Sequence, residues 1–115
     1  MSPKRFDSSL AKSAPIFAAL GDELRLRIIA RLVTGGPQSI TALTRREKVT
    51  RQAVTKHLHV LEGAGLLCRS RQGREQQWAV ELKPMDDARR CLAEIAAQWD
   101  NVLGNLKHFL ENDAS

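Results

Sequence analysis

One short segment of the chain, TRQAVTKHLHVLEGAGLL at residues 50–67, is crowded with side chains that donate hydrogen bonds. Four of them recur at helical spacing and a fifth adjoins them: Gln52, Thr55, Lys56 and His59, with Arg51 beside them. That spacing places them on one face of an α-helix. A solvated face usually mixes Glu with Lys, but Glu62 is the only acid in this segment. This face suits hydrogen bonding and charge attraction to an anion.

The helix that must carry these donors has recognisable ends and a recognisable buried side. Thr50 is a good N-cap, and Gly63 and Gly65 can supply the positive φ on which helices commonly end. Apolar residues recur four and three positions apart on the opposite side: Val54, Leu58 and Leu61. We therefore predict a helix with one face in a core and the donor face exposed.

The positive charge of the chain is concentrated around this helix. The formal net charge is +5, yet residues 45–74 hold eight Lys and Arg against two acids. Residues 84–115 hold three bases and six acids. A basic patch on an otherwise near-neutral domain is typical of nucleic-acid binding, although an acidic protein or an anionic lipid surface also fits the charge.

Length and composition limit the other possibilities. At 115 residues, 43% hydrophobic and only 4% aromatic, the chain predicts one compact helical domain. No apolar run reaches membrane length and the first ten residues lack the apolar centre of a secretory signal, so we expect a cytoplasmic protein. There is no Gly-rich phosphate loop and no nucleophile elbow, and we predict no catalytic residue, no cofactor and no enzyme.

Turn signals divide the chain into a series of elements. Residues 1–12 are polar and predict a flexible N-terminus, followed by an apolar helix over 13–21. Asp22 caps a second helix whose apolar residues recur at intervals of four: Leu24, Ile28 and Leu32. A loop over 34–39 leads into a short helix and then the donor-bearing helix, which together form a helix-turn-helix at about 39–64.

Beyond Gly65 the pattern alternates, and residues 66–82 predict a β-hairpin linked by Gln72-Gly73. One side of the hairpin holds Gln76, Trp78, Val80 and Leu82. Its basic residues are Arg69, Arg71 and Arg74. A long helix over 84–111 and a frayed tail at 112–115 complete the chain.

This order of elements predicts a mainly α, winged helix-turn-helix fold of about five helices plus a two-stranded β-hairpin wing, with residues 13–83 as its core. In that fold the second helix of the helix-turn-helix enters the major groove of DNA, and the hairpin lies along phosphates or in the adjacent minor groove. We therefore predict contacts to double-stranded DNA from Thr50, Arg51, Gln52, Thr55, Lys56, His59, Arg69, Arg71 and Arg74.

Three segments carry a family resemblance: ALGDELRLRII, SITALTRREKVTRQAVTKHL and VLEGAGLLCRSRQGREQQWAV. Together they resemble the ArsR family of bacterial winged helix-turn-helix transcriptional regulators, over roughly residues 13–110. The resemblance implies a homodimeric repressor of the bacterial cytoplasm, associated with the nucleoid and bound to a palindromic operator. It also implies that His57 packs or touches phosphate. The chain departs from the family at Lys48, where Gly is frequent, and at Glu23, where Pro is frequent.

Members of that family commonly sense metal ions, but the pattern here predicts no metal site. Residues 40–50 contain no Cys, and His108 and Glu111 lack the DxH pair that a site on the last helix needs about ten residues upstream. Cys68 and Cys91 are too few for a disulfide framework, so we predict reduced, structural thiols, with oxidation sensing as the alternative. The residues identify no small-molecule effector.

An apolar seam runs along the last helix at spacings of three and four: Leu92, Ile95, Trp99, Val102, Leu106 and Phe109. Part of this seam could cover the core of the same chain. We predict that the remainder closes a two-fold homodimer together with first-helix residues Ile16, Phe17 and Leu20. Two recognition helices would then face successive major grooves about one helical turn apart.

The sequence thus predicts a sequence-specific DNA-binding transcriptional regulator that acts as a homodimeric repressor. The alternative is a winged-helix protein–protein interaction module that does not read DNA sequence. The donor face from Arg51 to His59 argues against that alternative.

Overall fold

The protein folds into five helices and a small antiparallel sheet, which confirms the predicted winged helix-turn-helix. The computed structural model describes residues 3–113. Its elements in chain order are α1 (Pro3–Leu20), α2 (Glu23–Gly35), β1 (Gln38–Ser39), α3 (Ile40–Arg46), α4 (Arg51–Gly63), β2 (Leu67–Gln72), β3 (Glu75–Val80) and α5 (Leu82–Asp113). No helix in this part of the chain is both long enough and apolar enough to span a membrane.

The core lies between the first four helices, the wing and the start of α5. Its fully buried members include Ile28 of α2, Leu43 of α3 and Leu66 before β2. The predicted stripe of α4 is buried with them, because Val54 and Leu58 have no exposed surface, and neither has Leu61. Burying a Leu or Ile side chain completely contributes about 1.5–3 kcal/mol, so this stripe holds α4 firmly against the core.

Both ends of α4 close as the residue types predict, with one difference. The Oγ1 atom of Thr50 accepts a hydrogen bond from the backbone N–H of Ala53 at 3.1 Å. At the other end only Gly65 has a positive φ, of 80°, whereas Gly63 is the last helical residue. The N–H groups of Gly65 and Leu66 donate to the carbonyls of Glu62 and Leu61 at 2.9 and 3.0 Å. This Schellman motif directs the chain from α4 into β2.

The first helix is longer than the sequence analysis predicted. Residues 3–12 were expected to be flexible, but they are helical and continuous with the apolar segment. Phe6 and Leu10 are half-buried, and α1 packs mainly against α5, which gives this polar segment a partner. Residues 1 and 2 lie outside the described residues. Ile16, predicted for a dimer interface, is 6% exposed and belongs to the core of its own chain, whereas Phe17 is partly buried against that core.

The wing differs from the prediction in its turn and in the strand that pairs with it. The two turn residues are Gly73 and Arg74, since Gln72 pairs with Glu75. Gly73 has φ 64° and Arg74 has a negative φ, which is the pattern of a type II′ turn. The predicted loop over 34–39 contains β1, which pairs with β3, so the sheet order is β1-β3-β2.

Helix α5 begins earlier than predicted and extends far beyond the core. Leu82 was assigned to the wing, but it is the first residue of α5 and 73% exposed; Pro84 is tolerated because it lies in the first turn. At 32 residues the helix is about 48 Å long. Its buried residues within this chain are Ala88 and Cys91. Residues 112 and 113 continue the helix where a frayed tail was predicted, and 114 and 115 lie outside the described residues.

Two arginines of α2 hold the turn between α3 and α4. The Glu47 side chain is 8% exposed, and its carboxylate lies 2.8 Å from Nη2 of Arg31 and 3.5 Å from Nε of Arg27. The shorter contact lacks the alignment of a hydrogen bond, so charge attraction is its main component. Because Glu47 is well shielded from water, this attraction is less screened than that of a surface pair.

We expect Glu47→Gln to lower the free energy of unfolding by about 1–2 kcal/mol, because two arginines lose their shared counter-charge. Glu23→Gln is the matched control, since Glu23 pairs with Arg27 at 2.8 Å but is 82% exposed. Urea unfolding followed by circular dichroism measures both. Equal losses in the two variants would show that the buried pair does not stabilise the turn.

Candidate nucleic-acid interface

The predicted donor face of α4 points away from the core. Arg51, Gln52, Lys56 and His59 are exposed, and Thr55 is partly exposed. Within residues 3–113, the side chains of Arg51, Gln52 and Lys56 take part in no ion pair and no hydrogen bond. Thr55 donates its hydroxyl hydrogen to the carbonyl of Arg51 at 2.9 Å, so its oxygen remains available as an acceptor. The face therefore keeps its charges and most of its donors for a ligand.

The donor face divides into two parts when its neighbours are considered. One part faces the wing across a cleft of about 350 Å³ between α3, α4 and the hairpin. The cleft is lined by Ser39, Ile40, Thr41, Arg51, Thr55, His59, Arg69, Arg74, Glu75, Gln76 and Trp78. The other part faces outward, where Gln52 and Lys56 share a shallow depression with Thr50 and Ala53.

The three wing arginines, predicted as equivalent, differ in their surroundings. Arg69 donates from Nε and Nη2 to the two carboxylate oxygens of Glu62 at 2.7 and 3.0 Å. Its guanidinium also lies 5.0 Å from the centroid of the Trp78 ring, in cation–π geometry. Arg71 and Arg74 are exposed and have no such partners in the described part of the chain. Arg69 therefore stabilises the junction of α4 and β2, and the unpaired charge of the wing belongs to Arg71 and Arg74.

His57 lies apart from the donor face. Its Nδ1 atom is 3.1 Å from Nη1 of Arg25 on α2, and its side chain is 25% exposed. Of the two roles that the family resemblance implied, packing is the one this geometry supports. His59, by contrast, is exposed, with its ring tilted against Trp78 at a centroid distance of 6.3 Å.

The structure adds candidate residues that the sequence analysis did not include. Thr41 of α3 is exposed and Gln76 of β3 is exposed, and both line the cleft. The sequence analysis had placed Gln76 on the same side of the hairpin as Trp78, which is buried, but had not included it among the DNA contacts. Ser39 is the N-cap of α3, and its Oγ accepts from the N–H of Ala42 at 3.2 Å. An N-cap at this position places Thr41 in the first turn of α3, and this was the sequence signal that could have identified Thr41. Three further exposed bases lie at the end of α3 and in the turn that follows it: Arg45, Arg46 and Lys48.

The two cysteines differ in their surroundings. Cys91 is fully buried, and Cys68 is partly buried at the root of the wing. A hydrogen bond to Glu81, together with burial, raises the pKa of the Cys68 thiol above its ordinary value. Among the described residues, no three His, Cys, Asp or Glu side chains converge on a point where they could hold a metal ion. Nε2 of His108 instead contacts Nδ2 of Asn112 at 3.1 Å.

Comparison with known proteins agrees with this geometry. Residues 20–67 match the family model described as a helix-turn-helix domain. An ArsR-like transcriptional regulator from Rhodococcus sp. RHA1 superposes with a TM-score of 0.74 at 35% identity, over 89% of this chain and 95% of that one. The chain belongs to the ArsR family of transcriptional regulators. A second ArsR family structure has 30% identity and a TM-score of 0.68, over 78% of this chain and 92% of that one.

The Bacillus subtilis (strain 168) HTH-type transcriptional regulator YuzN is 42% identical over an alignment of 65 residues, and this alignment covers 51% of this chain and 71% of YuzN. This ArsR-family chain is thus a transcriptional regulator with a DNA-binding winged helix-turn-helix. The helix-turn-helix covered by the family model contains α4, the helix that carries the donor face.

The contrast between Arg74 and Arg69 predicts different salt dependences. Arg74→Ala should weaken operator and random DNA alike and reduce the slope of log affinity against log salt by about one unit, since one phosphate contact is lost. Arg69→Ala should change that slope by less than half as much, because Glu62 already neutralises Arg69. Fluorescence anisotropy at several salt concentrations measures both. Equal slopes for the two variants would contradict the division of roles.

Proposed function

We propose that this regulator is a repressor that binds a palindromic operator as a homodimer, reading bases with α4 and neutralising phosphates with the wing. The observation that carries the proposal is the donor face of α4: Gln52 and Lys56 point outward without partners in the described chain, on a helix whose other side is wholly buried. Gln can make a bidentate pair with adenine, and Lys can reach guanine or phosphate. Repression is the mode of regulation that the family resemblance implies.

Charge supports DNA as the partner. Around α4, exposed bases outnumber acids, since Glu62 is paired with Arg69 and Glu47 with the arginines of α2. The exposed bases without ion pairs within residues 3–113 are Arg45, Arg46, Lys48, Arg51, Lys56, Arg71 and Arg74. They lie at the end of α3, in the turn before α4, on α4 and on the wing, and in winged helix-turn-helix proteins the second helix and the wing meet the duplex.

The second half of α5 supports dimerisation. Every residue from Ile95 to Asn112 is exposed in the single chain, so both the apolar seam and the polar residues around it are open to water. Eight large apolar side chains of α5 are 42–65% exposed: Leu92, Ile95, Trp99, Val102, Leu103, Leu106, Phe109 and Leu110. Covering each half-exposed side chain would contribute on the order of 1 kcal/mol. A second copy of α5 has the same spacing of three and four, so the two seams are complementary by symmetry.

These observations suggest a division of labour within the chain. We propose that the elements from α1 to β3 form the DNA-binding core and that α5 forms the dimerisation helix, with Phe17 and Leu20 of α1 at the margin of the interface. The alternative, an interaction module without DNA reading, would leave the donor face of α4 without a ligand.

Gln52→Ala tests base reading. We expect it to reduce operator affinity by about 1–3 kcal/mol and affinity for unrelated DNA much less, because only the specific complex contains the contact. The operator comes from sequencing the genomic fragments that the protein retains, and fluorescence anisotropy measures both affinities. Gln98→Ala, at an exposed glutamine on α5, is the control.

If Gln52→Ala weakens binding to both DNAs equally, or to neither, α4 does not read sequence through Gln52. If Arg51→Ala and Lys56→Ala also leave DNA binding unchanged, the interaction module is favoured over the repressor.

Trp99→Asp tests the dimer. We expect monomers and weaker operator binding, because the new carboxylate would be buried without a partner in the seam. Asn101→Asp places the same charge about 200° around the helix axis from Trp99, close to the opposite side of α5, and this variant should remain dimeric. Analytical ultracentrifugation measures assembly. In the Trp99→Asp variant Trp78 is the one remaining tryptophan. Because the Trp78 ring is buried, its fluorescence emission reports whether the core is still folded. A folded, dimeric Trp99→Asp variant would place the dimer elsewhere.

A further inference from the structure

The guanidinium of Arg25 joins the end of α1 to α4. Its Nε atom donates to the carbonyl of Ala19 at 2.5 Å, and its Nη1 atom lies 3.1 Å from Nδ1 of His57. Because α1 ends at Leu20, the Ala19 carbonyl is among the last four of its helix, which lack donors from that helix. Arg25 supplies the missing donor and places a positive charge at the negative end of α1.

The hydrogen bond between Arg25 and His57 has a defined direction. A guanidinium has donors and no acceptor, so Nδ1 of His57 is the acceptor in this bond. Asp22 organises the same junction: its Oδ2 atom accepts from the backbone N–H of Arg25 at 3.1 Å and lies 3.9 Å from Nδ1 of His57. The hydrogen bond from the Arg25 backbone lowers the pKa of Asp22, so the capping carboxylate stays charged at neutral pH.

The position of His57 makes this link a restraint on the rotation of α4. His57 is three residues after Val54 and four before Leu61, so it flanks the buried stripe. Apolar burial is non-directional and by itself tolerates small rotations about the helix axis. With a radius of about 5–6 Å including side chains, a rotation of roughly 10° moves the helix surface by about 1 Å. That displacement exceeds the distance range of a good hydrogen bond to a base edge.

The geometry points to Arg25 as a positioning residue for DNA recognition, which fixes the rotation of α4 relative to the end of α1 through His57 and does not itself contact DNA. This inference rests on the proposed reading of DNA by α4. Phe17 and Leu20 of α1 are proposed to border the dimer interface. The link from Arg25 therefore also restrains the orientation of the donor face relative to that interface.

A double-mutant cycle on DNA binding tests the link. Arg25→Met keeps the length of the stem and removes the donors, and His57→Phe keeps a ring and removes the acceptor. Each should reduce operator affinity roughly tenfold with little change on random DNA, and the double variant should be no weaker than either single one, because both remove the same link. His57→Gln retains an acceptor and should recover most of the affinity. Arg89→Met, an exposed arginine of α5, controls for the lost charge.

Three results would overturn the inference. If Arg25→Met lowers only the melting temperature and leaves the ratio of operator to random affinity unchanged, Arg25 serves stability alone. If the two losses add in the double variant, His57 acts independently of Arg25. If operator and random DNA weaken equally, the effect is one of charge.

Amide spectra without DNA separate this inference from the proposed function. In ¹H–¹⁵N spectra, Arg25→Met and His57→Phe should each shift the amides along α4, including those of Gln52 and Lys56 on the outward face. Shifts confined to the surroundings of residues 25 and 57 would refute the positioning role, whether or not α4 reads DNA. Conversely, if Gln52→Ala has no effect on operator binding but these amides do shift, the base-reading proposal fails and the link itself stands.

Discussion

The complete burial of one side of α4 is the constraint on which the rest of the structure depends. Val54, Leu58 and Leu61 lose all contact with water in a core built from the first four helices, the wing and the start of α5. The polar residues on the opposite side of α4 remain exposed, so burial of the apolar side orients the donor face outward. Apolar contact does not define rotation finely, and the polar links from α2 to His57 and Glu47 supply directional restraints at the flank of α4 and at the turn before it.

The long α5 has two parts, one that belongs to the core and one that extends beyond it. Its first part packs against α1 and closes the core with Ala88 and Cys91, and its remaining length has no partner within the described chain. A helix in water gains most of its stability from packing an apolar face. The extended shape, with extents of 71 × 30 × 20 Å, fits the proposed homodimer, in which a second copy would cover the exposed part of α5.

Most of the fold could be predicted because its signals are local. Thr50 as an N-cap, the stripe of α4 and the alternation after Gly65 depend on neighbours within one or two turns, and all three appear in the structure. The errors concern segments whose state depends on distant partners. Residues 3–12 are polar and helical because α5 packs against them, and β1 exists because β3 offers it a free edge. Leu82 continued an alternating pattern, but the strand had already ended at Val80.

By itself the sequence determined the donor face, the basic charge around it and the family, because residue type and helical period are local properties. It did not determine which basic residues are available to a ligand, since a net charge counts Arg25, Arg69 and Arg74 alike. Only the tertiary structure assigns Arg69 to Glu62 and Trp78, and Arg25 to Ala19 and His57, while Arg74 remains exposed. The physical reason is that a guanidinium interacts over a few ångströms in space, with partners that the chain brings together only by folding.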